Sequence, residues 1–178
     1  MAPCLRHPGC RFSGGMERPA RPFGRLSSLP VLAHFRRGNK SRVADAIDQF
    51  LSERGWREKK FDTAVTVDGV RKDSPTHKVD CFKNRVALEV EWNNKDPFFD
   101  RDLNNFRLLF DLRAVSVGVI ITRCDHLQTI FNRLGRGSSY GMSTTHMSKL
   151  LPRIEGGSGA GCPLLVIGIS EHVYREDC

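Results

Sequence analysis

The run Val115-Ser-Val-Gly-Val-Ile-Ile-Thr122 constrains this chain more than any other feature. It is nearly unbroken in β-branched and apolar residues. A strand of that kind needs cover on both faces, which helices packed on either side of a sheet provide. Helical spacing appears on both sides of it in sequence. Val43, Ala44, Ile47, Phe50 and Leu51 recur at that period, with Asn39 or Ser41 as N-cap and Gly55 closing the helix after Arg54. Pro97 interrupts the pattern later. A second helix is then expected from Asp100 or Asp102, carrying Leu103, Phe106, Leu109, Phe110 and Leu112.

The remaining elements follow from the same periodicities. Strands are expected at Phe61–Val67, which ends in the hairpin signal Asp68-Gly69, at Lys78–Phe82 and at Val86–Trp92. The turn Lys83-Asn84-Arg85 joins the last two. After the central run come a helix from about Asp125 to Leu134 and a polar, Gly-rich loop at 135–145. A short helix over Met147–Ile154, a Gly/Ser linker at 156–161 and a strand at Leu164–Ile169 complete the series. Strands first and then helix–strand alternation predict an α/β fold: a central mixed β-sheet flanked by helices on both faces. Residues 39–178 are expected to form one domain.

Residues 1–38 are rich in Arg, Pro, Gly and Ser and show little apolar periodicity, so they are expected to be a disordered basic leader. That leader distorts the charge argument. Residues 1–42 hold nine Lys or Arg and one acid, a balance of +8, which equals the formal charge of the whole chain. Residues 43–178 are therefore formally neutral. Any groove for a polyanion has to come from local placement of basic side chains rather than from bulk charge. No apolar run approaches the roughly 18 residues that span a bilayer, so no membrane span is expected. The six cysteines are scattered without a CxxC pair, which points to a reducing, cytoplasmic setting rather than a disulfide framework or closed zinc site.

The chemistry is concentrated between Asp80 and Lys95. Side chains alternate along a strand, so Leu88, Val90 and Trp92 face a core while Ala87, Glu89 and Glu91 face the other way. The two carboxylates then lie about 7 Å apart on one face. Pairing through the Asn84/Arg85 turn sets Asp80 across from Glu89, so three carboxylates share one patch of sheet. Like charges that close raise one another's pKa, and a hard cation removes the cost. Oxygen ligands favour Mg²⁺, with Mn²⁺ as substitute. In that reading Asp80 and Glu89 are ligands, the Val90 carbonyl is a backbone ligand, and Glu91 orients or deprotonates an attacking water. The competing reading is a pair of solvated charges on an exposed strand, and spacing alone leaves both open.

Asp80, a short turn and Glu89-Val-Glu91 closing a hydrophobic strand resemble the PD-(D/E)xK nuclease pattern, with Glu91 where Lys is usual. The run from Glu89 to Arg107 (EVEWNNKDPFFDRDLNNFR) is similar to the BglII/BstYI group of type II restriction endonucleases. So are Val117–Arg123, Ser143–Arg153 and Gly161–Ile169. The resemblance implies a restriction-endonuclease-like fold over 39–178 and a homodimer gripping double-stranded DNA in a prokaryotic cytoplasm. It also implies Mg²⁺-dependent hydrolysis at a GATC-centred palindrome, leaving 5′-phosphate ends. Two departures stand beside it. The group generally carries Gln at the Glu91 position, and its additional helix-borne ligand has only Asp45 and Asp62 as weak counterparts here.

Lys95, Arg101, Arg107 and Arg123 surround the acidic patch in sequence and are candidates for phosphate contacts. Ser138, Ser139, Tyr140, Ser143, Thr144, Thr145 and Lys149, in and beside the 135–145 loop, are candidates for phosphates and base edges. His146 and His77 are read as structural. A catalytically silent DNA-binding protein and a structure-specific repair nuclease on the same fold are the alternatives.

Overall fold

The computed structural model describes residues 42–74 and 76–173. The expected leader and the N-cap candidates Asn39 and Ser41 lie outside these described residues. The element order is α1 (Arg42–Glu53), β1 (Arg57–Lys59), β2 (Thr63–Val67), β3 (Val70–Ser74), β4 (Val79–Lys83) and β5 (Val86–Glu91). There follow α2 (Phe98–Asp111), β6 (Val117–Arg123), α3 (Leu127–Arg133), a 3₁₀ turn at Gly137–Tyr140, α4 (Met147–Glu155), β7 (Leu164–Ile169) and a 3₁₀ turn at Glu171–Val173.

Five strands form one sheet in the order β1-β4-β5-β6-β7. The β1–β4 and β4–β5 pairs are antiparallel, whereas β5, β6 and β7 run parallel. The sheet is mixed, as expected, and the unbroken run occupies β6 between two parallel neighbours. Helices cover both faces. On one, Ile47 and Leu51 of α1 and Leu127 and Phe131 of α3 pack with Leu88, Val90, Trp92, Val119 and Ile121. On the other, Phe99, Leu103, Phe106 and Leu109 of α2 and Leu150 of α4 pack with Ala87 and Ile120. Burial of side chains this large contributes about 1.5–3 kcal/mol each.

Three local differences from the sequence expectation have physical causes. First, α2 begins at Phe98, ahead of Asp100 and Asp102. Pro97, at φ −63°, is already in helical conformation and stands at the helix start, where its missing N–H costs nothing. Second, β2 and β3 pair across Asp68-Gly69 as a separate two-stranded ribbon instead of joining the main sheet. Third, the edge strand β1 has three exposed residues and no apolar alternation that could have announced it.

The β4–β5 hairpin turns through Asn84 and Arg85, both with positive φ (48° and 64°), so its two-residue loop matches strand twist. The ladder pairs Lys83 with Val86, Phe82 with Ala87 and Cys81 with Leu88, and stops there. Continued by one step, this register sets Asp80 beside Glu89. At that step side chains take over from the backbone, and this opening is where the candidate residues gather.

Candidate active site

β5 carries Glu89 and Glu91 on the face covered by α2, and each is only 1% exposed. Solvated surface charges are therefore excluded for both. α2 turns its stripe of Phe99, Asp102, Leu103, Asn105, Phe106 and Leu109 inward. Asp102 interrupts that apolar stripe, and it too is 1% exposed. The Asn105 amide donates to the His77 carbonyl (3.3 Å), which ties the middle of α2 to the segment entering β4.

Side chains and backbone interlock where the ladder ends. The Asp80 N–H donates to Glu89 Oε2 (3.2 Å), and the Val90 N–H donates to Asp80 Oδ2 (3.3 Å). The Asn94 amide donates to Glu91 Oε2 (2.9 Å). Arg101 contributes the positive charge. Its Nε lies 2.8 Å and its Nη2 2.7 Å from Asp102 Oδ1, and Nη2 is also 3.5 Å from Glu91 Oε1. Glu89 Oε1 and Asp102 Oδ2 are buried without a hydrogen-bond partner. Asp80 is the exposed member, so the cluster opens to solvent on its side.

The electrostatics follow from that crowding. Burial pushes the Glu89 carboxyl up to about 10, and the charges of Asp102 and Asp80 add to the rise. Burial pushes Glu91 up to about 9, with Asp102 adding and Asn94 and Arg101 opposing. Asp102 is raised by burial too, against the pull of Arg101. Burial lowers the Arg101 guanidinium, but Asp102, Glu91 and Glu89 together outweigh it and the net shift is upward. Without another cation, burial and the neighbouring acids favour the protonated forms of Glu89 and Glu91.

Among the described residues, no three His, Cys, Asp or Glu side chains converge as a ready-made metal cage. The donor chemistry is nevertheless that of a hard cation: oxygen atoms only, two of them orphaned in the interior. Asp45 and Asp62 take no part in the cluster. Asp45 belongs to α1, which packs on the opposite face of the sheet. Asp62 is exposed beside the β2–β3 ribbon.

The basic and hydroxyl candidates divide by burial. Lys95 is exposed and bridges to Thr144, and Arg107, Ser138, Ser139 and Ser143 are exposed as well. Lys149 is partly exposed and lies 3.5 Å from Asp96. Arg101 is bound into the acidic cluster. Arg123 is buried, and its Nη2 donates to the Tyr140 carbonyl (3.0 Å) and to Thr144 Oγ1 (2.9 Å). Tyr140 stacks on Phe131 at 4.0 Å between ring centroids, and Thr145 is buried. Arg123, Tyr140 and Thr145 thus turn their side chains inward and shape the 3₁₀ turn and the loop after it. Tyr140 is buried by α3, whose Phe131 it stacks on, and no local pattern announces that contact. His146 is also buried, with Nδ1 2.6 Å from Asp125 Oδ1.

Sequence reasoning missed Asp102 and Asn94. Asp102 was read as a helix start, although it sits three residues after Phe99 and four before Phe106 on their apolar stripe. That position is the signal that could have found it. Asn94 lies beyond the strand end, where strand periodicity says nothing.

A family model described as restriction endonuclease BglII/BglIII matches residues 28–169 of the chain. No curated protein matches it.

Proposed function

The chain belongs to the BglII/BglIII restriction endonuclease family and is a type II restriction endonuclease acting on DNA; from that premise we propose that it cuts by divalent-cation-dependent hydrolysis at Asp80, Glu89 and Glu91. The observation that carries the reading is the burial of Glu89 and Glu91 at the splayed end of the β4–β5 hairpin, with Glu89 Oε1 orphaned. A fold has little reason to bury two such carboxyls side by side unless a positive ligand compensates them.

Asp80, Glu89 and the Val90 carbonyl are the oxygens that would hold the cation, Mg²⁺ by preference and Mn²⁺ as substitute. The Val90 carbonyl shares a strand edge with the amide that Asp80 Oδ2 has captured, beyond the last backbone pair of the ladder. A bound divalent ion supplies neutralisation of phosphate charge and acidification of water. The protein supplies the rest. Glu91 Oε2 is fixed by Asn94, which leaves Oε1 to orient the attacking water and accept its proton. The low-dielectric floor of α2 and the sheet strengthens each of these contacts.

Exposed Lys95, Ser138, Ser139 and Ser143, with Lys149 at the first turn of α4, meet phosphates and base edges. Arg123, Tyr140, Thr144 and Thr145 hold that surface in shape. A GATC-centred palindrome is the expected target, cut by a homodimer whose two-fold axis matches that of the site. A cytoplasmic setting suits this role, and no helix among the described residues is long and apolar enough to cross a membrane.

Digestion of unmethylated plasmid tests the proposal. Discrete fragments in Mg²⁺ that disappear in EDTA and with Glu89→Ala are expected, and sequencing their ends gives the site. Cutting that persists in EDTA, or in the Glu89→Ala protein, would overturn the assignment.

A further inference from the structure

The acidic cluster contains one more carboxylate and one more cation than the proposed catalytic set uses. Asp102 lies among the buried residues of α2, and its charge acts on both Glu89 and Glu91. Its Oδ1 takes both contacts from Arg101, while Oδ2 is buried without a partner, as is Glu89 Oε1. Two buried carboxyl oxygens without a hydrogen-bond partner in one cluster call for positive charge, and Arg101 bonds to neither of them.

We propose that Asp102 is a further oxygen ligand of the divalent cation, and that Arg101 is an internal counter-ion which the arriving cation displaces. This rests on the reading of Asp80, Glu89 and Glu91 as the cation site. The geometry of Arg101 supports the exchange. A single atom, Nη2, touches Asp102 Oδ1 at 2.7 Å and Glu91 Oε1 at 3.5 Å, so one positive centre already bridges these two acids. A divalent ion held by Asp102 would compete with the guanidinium for the same carboxyl group. The guanidinium has a way out: the Arg101 side chain is 30% exposed and lies over the exposed Phe98 ring, 4.3 Å from its centroid. Once displaced, it stands at the mouth of the site, where a DNA phosphate is the natural new partner. Cation loading and the grip on DNA are thereby coupled through one side chain.

Titration of Mn²⁺ into the full-length protein without DNA, followed by calorimetry and by the Mn²⁺ electron paramagnetic resonance signal, tests this directly. Asp102→Asn is expected to weaken Mn²⁺ binding about 10- to 100-fold, the range typical of groups that support a metal site. Arg101→Ala is expected to tighten it severalfold, because a competitor has been removed. Glu89→Gln separates the inference from its premise. If Glu89→Gln abolishes binding while Asp102→Asn leaves it unchanged, Asp102 is not a ligand and the inference falls alone. If neither variant alters binding, the cation-site reading itself fails. Weaker Mn²⁺ binding by Arg101→Ala would show that Arg101 supports the ligands rather than competing with the ion. Should Asp102→Asn lose its circular-dichroism signature of folding, Asp102→Glu takes its place. That variant keeps the charge but shifts the oxygens by one methylene, and unchanged Mn²⁺ affinity would again overturn the proposal.

Discussion

Glu89 is a carboxyl that solvent barely reaches, and its chemistry is set by that fact before any cofactor is considered. Its folded-state pKa is raised from 4.5 to about 10 by burial and by Asp102 and Asp80. A raised folded-state value means that the native protein binds a proton which the unfolded chain releases above its own pKa. The stabilising contribution is therefore fully present below about pH 4.5 and is lost as pH rises toward 10. Glu89→Gln mimics the protonated acid and removes this dependence. The cation-free variant is expected to melt above the wild type, with a larger gain at pH 8 than at pH 5. Each kcal/mol is read as about 2–4 °C in a chain of this size. Thermal melts in EDTA at the two pH values check it, and an equal gain at both would mean that Glu89 is ionised in the native state. The same substitution is expected to abolish cleavage, so stability and activity move in opposite directions.

At the scale of elements, the site depends on how closely α2 approaches the sheet. Gly118 of β6 lies directly beneath the helix. A Cβ built there would stand 2.5 Å from the Phe106 ring and 2.9 Å from Leu164. The missing side chain lets α2 settle deep enough to bring Asp102 and Arg101 over Glu89 and Glu91. Gly118→Ala is therefore expected to cost about 1–3 kcal/mol through overpacking and to lower cleavage further by lifting α2 off the cluster. Urea unfolding together with the plasmid assay checks this. A variant of unchanged stability would mean that Phe106 can move aside. The hairpin of β4 and β5 works in the other direction. Its tight Asn84-Arg85 turn fixes the register, and its early end frees Asp80 and Val90 for polar work.

For the whole molecule, the charge distribution and the family membership meet. Residues 43–178 are formally neutral, so in the proposed reading their DNA contacts come from a limited face that includes Lys95 and the exposed serines of 137–143. One such face covers a short stretch of duplex, and two faces related by a two-fold axis cover a palindrome. Light scattering is accordingly expected to give twice the 20.1 kDa chain mass in solution. A monomer at working concentration, cutting at fixed sites, would remove the symmetry argument for a palindromic target.

Much of this protein was legible in the sequence because the relevant signals are local. β6 followed from a single unbroken run, β7 from its own apolar stretch, and the Asp80–Glu89 register from a two-residue turn and strand alternation. Each is decided by backbone geometry over a few residues. The acidic trio could be named for the same reason, but its burial could not. Whether Glu-Val-Glu meets water or α2 depends on how closely that helix packs against the sheet over Gly118, and no strand pattern carries that information. Asp102 and Arg101 illustrate the point. As helix residues they read as a start signal and a surface cation, and only packing turns one inward and pairs it with the other. Tyr140 became an interior group because Phe131 of α3 stacks on it. Local sequence determined which elements form; the approach of those elements decided which polar groups lost their water, and hence where the chemistry lies.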